Sequence, residues 1–436
     1  MGDPIDVALD AARRRYAGAR PTTAALHAEA RAALPGGNTR TVLYHGPFPL
    51  RVEHADGAEI EDVDGHRYVD LLGNFSAGLF GHSNPAITAA VSAAVERGLG
   101  PGMHSDAEVA LAWAVCERFR LERVRFTNSG TEANLMALAA ARAFTGRDRV
   151  LVFSGGYHGG VLSFPAGTGG SVVNAPFDVQ VVPYNDLDAA TQVLEGRDVA
   201  AVLVEPMLGA SGCIPGTPEF LRGVASAAAA AGTLFVLDEV MTSRLGPAGL
   251  GQHLGLRPDL VTLGKYVGGG LSFGAFGGRV EVMDLFDPTR PDALAHAGTF
   301  NNNLASMLAG RAGLTKVFTP DVAEAHTQRG ERLRGALNGA VREHGLLVTG
   351  VGSLMAIHPL PEPLRQNGSG VVITAEDVAG CDARLRELLF LGLLERGYYI
   401  APRGYLALSL AVTDEQLDGF VDAVGEVAAG LADLAE

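Results

Sequence analysis

The sequence has little cysteine, and its histidines are widely spaced. Its three cysteines, Cys116, Cys213 and Cys381, form no C-x-x-C pair among 436 residues. This spacing excludes a disulfide scaffold and a cysteine-rich zinc site, and it is typical of a reducing compartment. None of the twelve histidines lies three to five residues from another, so a helical zinc motif is absent. We therefore expect no metal site.

Long hydrophobic runs and an excess of positive charge are missing as well. The most apolar stretch, residues 224–237, is shorter than the roughly 18 residues that a membrane helix needs. The N-terminal residues mix acids with arginines and lack the apolar core of a secretory signal. The 34 basic and 49 acidic side chains give a formal charge of −15, which repels nucleic-acid phosphates. We expect a cytoplasmic protein with neither a membrane nor a nucleic-acid partner.

Lysine is almost absent, since only Lys265 and Lys316 accompany 32 arginines. Arginine stays protonated in proteins, whereas a lysine amine can lose its proton and attack a carbonyl. A lysine in such a sequence is therefore a candidate for chemistry that arginine cannot perform. Lys316 lies in a predicted helix at 305–318, and we interpret it as a surface amine. Lys265 lies in a different setting.

The middle of the chain alternates short apolar runs with helical patterns. Each run is β-branched or aromatic and is bounded by turn residues, which predicts a strand. The predicted strands are 124–127, 150–153, 200–204, 234–237 and 260–263, and the helices between them include 132–144, 189–194 and 218–231. This alternation indicates an α/β fold with a mainly parallel central sheet covered by helices.

Both ends of the chain have a different pattern from the middle. Helices there are mixed with a few short strands, which predicts a smaller α+β domain assembled from both termini. We place the N-terminal part of that domain at 1–70, the large domain at 71–315, and the C-terminal part at 316–436.

Ligands of parallel sheets bind at the carboxyl ends of the strands, so the residues after each strand are site candidates. After the first strand, Ser129, Gly130 and Thr131 lead into a helix, whose N-terminus can hold a phosphate. An ordinary helix cap is the alternative. After the second, glycines surround Tyr157 and His158, and the tyrosine ring can lie on a planar heterocycle. A flexible turn is the alternative there.

Asp238 and Lys265 each follow a predicted strand, which places them at the same edge of the sheet. A carboxylate there needs a cation or a strong donor, and a protonated ring nitrogen supplies one; Arg244 or a helix cap is the alternative partner. An amine in a dry site has a lowered pKa and becomes nucleophilic. A phosphate site, a stacking ring, a carboxylate and an amine together describe a site for pyridoxal 5'-phosphate (PLP). Tyr266, instead of Ser or Thr, follows Lys265, which excludes a P-loop.

Six segments of the sequence carry a resemblance to a known family. They are FTNSGTEANLMAL, FSGGYHGG, VEPMLGASGCIPG, LDEVMTSR, LGKYVGGGLSFGAFGG and GTFNNN. Together they resemble the class III aminotransferases of PLP fold type I over residues 30–430. Within that class the sequence is similar to the aminotransferases of aromatic β-amino acids, typified by those acting on β-phenylalanine. The second most similar relative is glutamate-1-semialdehyde 2,1-aminomutase. It usually has a GTLSGNP-like segment where this sequence has GTFNNNL.

The resemblance implies roles around the cofactor. Lys265 would bind PLP covalently and shuttle a proton, and Asp238 would pair with the pyridinium nitrogen. Val240 would pack beneath the cofactor ring. Tyr157, which precedes His158 in the sequence, would stack above it.

The resemblance also implies roles at the edges of the cofactor. Ser129, Gly130 and Thr131 would hold its phosphate. Glu205 would lie near the edge of the ring, although a helix-entry carboxylate is the alternative. Thr299 would reach the phosphate of the neighbouring subunit, because the family builds its shared active sites at a homodimer interface.

The substrates carry carboxylates, so the site needs a residue that binds a carboxylate. Arginine suits this role because it donates two parallel hydrogen bonds to one carboxylate. Arg40 follows a Pro-Gly-Gly turn in a loop that covers the site in β-amino-acid aminotransferases, and Arg403 lies in a segment that approaches it. A surface position is the alternative for either arginine. An aromatic side-chain pocket is expected from Tyr44, Phe48, Phe75, Leu79 and Phe80, with ordinary core packing as the alternative.

We therefore expect a ping-pong aminotransferase. It would move the amino group of a β-amino acid, such as β-phenylalanine, to 2-oxoglutarate or pyruvate. The alternatives are the intramolecular aminomutase and a non-catalytic PLP-fold binding protein.

Overall fold

The computed structural model describes residues 3–100, 102–360, 364 and 373–435. The chain divides into two compact units. Unit 1 comprises Met1–Ser83, Arg329–Val372 and Gly380–Glu436, and unit 2 comprises Asn84–Gln328 and Ile373–Ala379. Both main borders lie 13 residues beyond those predicted at 70/71 and 315/316, and residues 373–379 belong to unit 2.

The secondary structure comprises both long helices and short strands. The described helices are α1 Pro4–Ala19, α2 Pro21–Ala30, α3 Pro85–Glu96, α4 Asp106–Phe119, α5 Gly130–Thr145, α6 Leu187–Glu195, α7 Pro218–Ala231, α8 Leu250–His253, α9 Val280–Met283, α10 Leu304–Ala312, α11 Pro320–Val341, α12 Ala375–Gly380, α13 Ala383–Glu395 and α14 Asp414–Ala435. The described strands are β1 Val52–Asp56, β2 Glu59–Asp62, β3 Arg67–Asp70, β4 Arg123–Thr127, β5 Arg149–Phe153, β6 Val179–Val182, β7 Val199–Val204, β8 Met207–Leu208, β9 Ile214–Pro215, β10 Leu234–Asp238, β11 Leu260–Gly264, β12 Gly274–Gly278, β13 Leu346–Val351, β14 Leu354–Pro359, β15 Tyr398–Tyr399 and β16 Tyr405–Ala407.

Unit 2 is built on a seven-stranded sheet in the order β4-β12-β11-β10-β7-β5-β6. The five strands from β11 to β6 run parallel to one another, and β12 pairs antiparallel with β11 and β4. Every residue of β7 and β10 is buried, as expected for parallel strands covered on both faces. The predicted α/β fold with its mainly parallel sheet is therefore confirmed.

Strand β12 is a feature that the sequence pattern did not predict. Its sequence GAFGG is rich in glycine, which strands normally avoid. The glycine is needed at Gly274, where a Cβ atom would lie 2.1 Å from the carbonyl oxygen of Ser129. This close approach places β12 directly against the loop that begins α5.

Unit 1 draws its elements from both ends of the chain. One sheet has the order β1-β2-β3-β15, in which C-terminal β15 runs parallel to N-terminal β3. A second sheet has the order β13-β14-β16. One apolar core contains buried residues from α1, α13 and α14 together with both sheets. No helix among the described residues is long and apolar enough for a membrane span.

Candidate active site

The carboxyl ends of β10 and β11 bring Asp238 and Lys265 to one edge of the unit 2 sheet. The two strands are parallel neighbours, and Asp238 stands opposite Thr262. Strand β11 ends at Gly264, and Lys265 begins the short 3-10 turn that follows. The two residues that the sequence singled out for amine and carboxylate chemistry therefore lie at the same end of two adjacent strands.

Asp238 is buried, and polar neighbours surround its carboxylate. Its Oδ2 accepts a hydrogen bond from Nδ2 of Asn134 at 2.8 Å and lies 2.7 Å from Nδ1 of His158. Its Oδ1 accepts from the backbone N–H of Val240 at 3.0 Å. The contact with His158 is a hydrogen bond in the tautomer that places a proton on Nδ1. These contacts fix the carboxyl group in one orientation at the end of β10.

Asn134 is a site residue that sequence reasoning missed. It lies on the second turn of α5 and is 1% exposed. Its Nδ2 also donates to the carbonyl of His158 at 2.9 Å, and its Oδ1 accepts from Thr262 at 2.8 Å. One amide thus links the three elements that carry Asp238, His158 and Thr262. The signal available in the sequence was a polar residue on the buried face of an apolar helix.

Lys265 has an unusual backbone conformation. It is half-buried, and its φ of +57° is in the left-handed region, which L-residues other than Asn and Asp rarely adopt. Such strain persists only where the surrounding structure imposes it, and it concentrates at functional sites. Gly264 before it is extended, with φ −176°.

The loop from Ser129 to Thr131 begins α5 with its amides exposed at the helix N-terminus. Oγ of Ser129 caps the helix by accepting from the N–H of Glu132 at 3.2 Å. The N–H groups of Gly130 and Thr131, in the first turn, have no intrahelical acceptor, so they are available to an anion. The cap that we considered as an alternative is present, and it leaves these two donors in place for a phosphate.

The glycine-rich turn after β5 packs directly on this loop. The N–H of Gly160 donates to Oγ1 of Thr131 at 3.2 Å. A Cβ atom on Gly159 would lie 2.1 Å from that same oxygen, and its φ of +127° also requires glycine. Glycine at 159 therefore lets the two loops lie close enough to form one wall.

Val240 lies between two glycines at the base of the site. A Cβ atom on Gly130 would lie 2.8 Å from both Val240 methyl groups, and one on Gly264 would lie 3.2 Å from Cγ1. Larger residues at either position would displace the valine. The packing thus provides an apolar platform beside Asp238 and the phosphate loop, where the predicted ring would lie.

Tyr157 and Glu205 lie together beside the platform. The Tyr157 side chain is 47% exposed, as a ring available for stacking must be. Glu205 is buried, and its carboxyl group accepts from the N–H groups of Tyr157 at 3.0 Å and Gly209 at 3.1 Å. Burial raises the pKa of Glu205 to about 7, although the nearby His158 opposes the shift. Glu205 therefore positions the Tyr157 loop.

The three remaining candidates are Thr299, Arg40 and Arg403. Thr299 is exposed in a turn of unit 2. Arg40 and Arg403 belong to unit 1, where the Cζ atom of each lies 5.4 Å from the centre of the Phe75 ring. Of the other residues expected to line an aromatic pocket, Phe48, Leu79 and Phe80 are buried and Tyr44 is half exposed.

The unit 2 residues fit PLP on their chemistry. Two helix-terminal N–H groups suit its phosphate. A buried carboxylate that accepts several hydrogen bonds suits its ring nitrogen. The apolar surface of Val240 and the exposed ring of Tyr157 suit the two faces of its ring. The amine of Lys265 suits its aldehyde.

A family model for class-III aminotransferases matches residues 43–427, almost the whole chain. The chain belongs to that family. It is therefore a PLP-dependent aminotransferase, as the sequence predicted, and the non-catalytic alternative is wrong.

Individual relatives agree with this assignment. The aminotransferase is 51% identical to a β-phenylalanine transaminase of Variovorax paradoxus over 98% of this chain and 97% of the relative. The crystal structure of a β-phenylalanine aminotransferase from Variovorax paradoxus matches with a TM-score of 0.93 and 50% identity, over 98% of both chains. A glutamate-1-semialdehyde aminomutase from Pseudomonas aeruginosa matches with a TM-score of 0.88 and 26% identity, again over 98% of both chains.

Proposed function

We propose that this aminotransferase moves the amino group of an aromatic β-amino acid, such as β-phenylalanine, to 2-oxoglutarate or pyruvate. The relative at 51% identity bears the name of that donor. The aminomutase matches at about half that identity, which disfavours the intramolecular alternative. A ping-pong cycle follows, in which the donor leaves as a β-keto acid before the acceptor keto acid binds.

The convergence of Arg40 and Arg403 on Phe75 is the observation that carries this proposal. Donor and acceptor both have a carboxylate, and the acceptor 2-oxoglutarate has two. A guanidinium presents paired N–H donors that match a carboxylate in geometry and charge. We assign Arg40 and Arg403 to these carboxylates.

The chain's residues would divide the chemistry between them. When bound, PLP supplies an aldehyde for the substrate amine and a ring that accepts electrons. Lys265 would hold the cofactor through its Nζ atom, and the same amine would carry a proton to and from the reacting carbon of the substrate. Asp238 would pair with the ring nitrogen, and Asn134 and His158 hold the Asp238 carboxylate in place. Gly130 and Thr131 would orient the cofactor through its phosphate.

We also propose that the protein forms a homodimer through an apolar face of unit 2. Val109 and Trp113, one turn apart on α4, are 56% and 73% exposed, and Phe300 is 66% exposed. Nδ2 of Asn302 donates to Glu108, which ties the Phe300 turn to α4. Thr299 precedes Phe300, so a second copy on this face would meet Thr299, the residue assigned to the partner's phosphate.

A single variant tests the dimer. Trp113→Asp places a charge on this face, and we expect analytical ultracentrifugation to find a monomer where the unmodified protein is a dimer. Val7→Asp, at a residue of unit 1 that is 58% exposed, is the matched control. A Trp113→Asp protein that stays dimeric contradicts the assigned face.

The decisive experiment for the function is an assay of the purified enzyme with β-phenylalanine and 2-oxoglutarate. We expect glutamate to form, and to form only when both substrates are present. Isomerisation of glutamate-1-semialdehyde without glutamate formation from β-phenylalanine would instead assign the aminomutase activity.

A further inference from the structure

A run of left-handed residues lies in unit 1 directly after β3. Residues 73–76, the left-handed turn, have φ values of +51° at Gly73, +46° at Asn74, +54° at Phe75 and +73° at Ser76. Residues other than glycine usually enter this region singly, because in it their Cβ atom crowds the following carbonyl group. Three consecutive non-glycine residues in it form a strained segment that requires support from its surroundings.

Hydrogen bonds on both sides of the left-handed turn supply that support. Oδ1 of Asp70 accepts from the N–H groups of Leu72 at 2.9 Å and Gly73 at 3.0 Å. The N–H of Gly78 donates to the carbonyl of Gly73 at 2.7 Å. Nε2 of His82 lies 2.9 Å from the other oxygen of Asp70, so the carboxylate itself is held. The turn is thus clamped at its entry and its exit.

The turn presents two side chains to the arginines assigned to substrate carboxylates. Oδ1 of Asn74 accepts a hydrogen bond from Nη1 of Arg40 at 2.7 Å. The Phe75 ring lies 5.4 Å from Cζ of Arg40 and 5.4 Å from Cζ of Arg403. The Tyr405 ring stacks on Phe75, with centres 6.0 Å apart and planes 8° apart, which fixes the orientation of the ring.

Two positively charged guanidinium groups around one ring repel each other, so other interactions must hold them there. An aromatic ring attracts a guanidinium electrostatically, and its rigid plane restricts where each arginine can lie. The Asn74 amide oxygen occupies one N–H of Arg40 and leaves four of its five donors for other acceptors. The strained turn is therefore associated with the placement of two cations around one ring, and an anionic substrate is the complementary ligand.

We propose that Asn74 and Phe75 are positioning residues that set the geometry of Arg40 and Arg403, and that they determine the preference of the enzyme for substrates with a carboxylate. The backbone conformation of the left-handed turn directs the Asn74 and Phe75 side chains toward the two arginines. This inference rests on the proposed function, because it assumes that the two arginines bind substrate carboxylates.

The first test compares Phe75→Leu with the unmodified holoenzyme. The measurements are kcat/KM for β-phenylalanine and for 1-phenylethylamine, an aromatic amine without a carboxylate. We expect the ratio of the two to fall roughly tenfold in Phe75→Leu, mainly through KM for the acid, and to recover in Phe75→Tyr, which restores a ring. Phe144→Leu is the matched control, because it removes a ring 5.7 Å from the guanidinium of Arg279 in unit 2. An unchanged ratio in Phe75→Leu overturns the proposal.

The second test uses Asn74→Gly, which keeps the left-handed backbone available and removes the amide. We expect a melting temperature at or above that of the unmodified protein, since glycine relieves the strain. The same ratio should fall roughly three- to tenfold, since an acceptor for a charged donor is lost. Asn185→Gly is the control, because Asn185 is another exposed asparagine, with φ +66°, in unit 2. Equal losses for the acid and the amine overturn the role of Asn74.

A binding measurement separates failure of this inference from failure of the proposed function. The inhibition constant of 3-phenylpropanoate, a carboxylate without an amino group, is measured with the best amine donor. A constant that rises in Phe75→Leu and Asn74→Gly supports the positioning role even if β-phenylalanine is not a donor. A constant that stays the same in both variants overturns it, whatever the donor of the enzyme is.

Discussion

Nδ2 of Asn134 lies 2.8 Å from Oδ2 of Asp238, and both side chains are buried. The amide comes from the second turn of α5 and the carboxylate from the end of β10, so the contact joins the helix that begins at the phosphate loop to the strand that carries the acid. Burying a polar group is costly unless hydrogen bonds replace those to water, and the amide supplies one of them. This pair therefore links the loop that would hold the cofactor's phosphate to the acid that would face its ring nitrogen.

Replacing Asn134 with alanine tests that link. The variant removes a donor from Asp238 and leaves the Thr262 hydroxyl without its acceptor in this pair. A hydrogen bond to a charged group contributes about 1.5–3 kcal/mol. We therefore expect PLP to bind at least roughly tenfold more weakly, as measured by fluorescence titration of the cofactor-free protein. PLP affinity equal to that of the unmodified protein would contradict the role assigned to Asn134.

The two lysines of the sequence allow a matched comparison. Lys265→Arg keeps the positive charge but cannot bond to an aldehyde or carry the proton, so we expect turnover to fall by on the order of 10³-fold or more. Lys316 is exposed, and Lys316→Arg should leave kcat within experimental error. Turnover assays of the two variants side by side check this. Substantial activity in Lys265→Arg would remove the amine from the mechanism.

The central strands and their following residues could be predicted because buried parallel strands have a strong local pattern. Strands β5, β7, β10 and β11 differ by at most one residue at either end from the predicted ranges. The juxtaposition of Asp238 and Lys265 then follows from topology alone.

Other features depend on tertiary contacts that local sequence does not reveal. Strand β12 was missed because its glycines serve a close approach to the Ser129 loop. Asn134 was missed because a single buried amide in a helix has no motif. The left-handed turn has none either, since asparagine, phenylalanine and serine do not predict three consecutive positive φ angles. The cytoplasmic location and the roles of Thr299 and the two arginines stay predictions.

Arg40 offers a test of carboxylate recognition. The Arg40→Ala variant loses a guanidinium, so we expect kcat/KM for β-phenylalanine to fall by roughly 10- to 100-fold, in line with a charge-assisted bond. The loss for 1-phenylethylamine should be much smaller. Arg15→Ala, which removes an exposed arginine paired with Glu395, serves as the control. Similar losses for the acid and the amine would take Arg40 out of substrate binding.

Glu205 predicts a pH dependence of stability. Its pKa is raised from 4.5 to about 7 in the folded protein, because burial disfavours the charged carboxylate. The unfolded chain releases this proton near pH 4.5 and the folded protein only near 7. The folded state is therefore destabilised as the pH rises through that interval, in total by about 3 kcal/mol.

Glutamine at position 205 does not titrate and removes this effect. We expect the melting temperature of Glu205→Gln to rise relative to that of the unmodified protein between pH 5 and pH 8, as measured by calorimetry under matched conditions. A difference in melting temperature that is constant across this range would show that Glu205 has an ordinary pKa.

The attachment of the cofactor to Lys265 is the claim on which the rest of the account depends. Borohydride reduces the bond between a lysine amine and the PLP aldehyde to a stable linkage, and peptide mass mapping then locates it. Treatment of the freshly purified enzyme should give a pyridoxyl group on the peptide that contains Lys265 and on no other. A label on Lys316, or no label on a protein that contains PLP, would contradict the account.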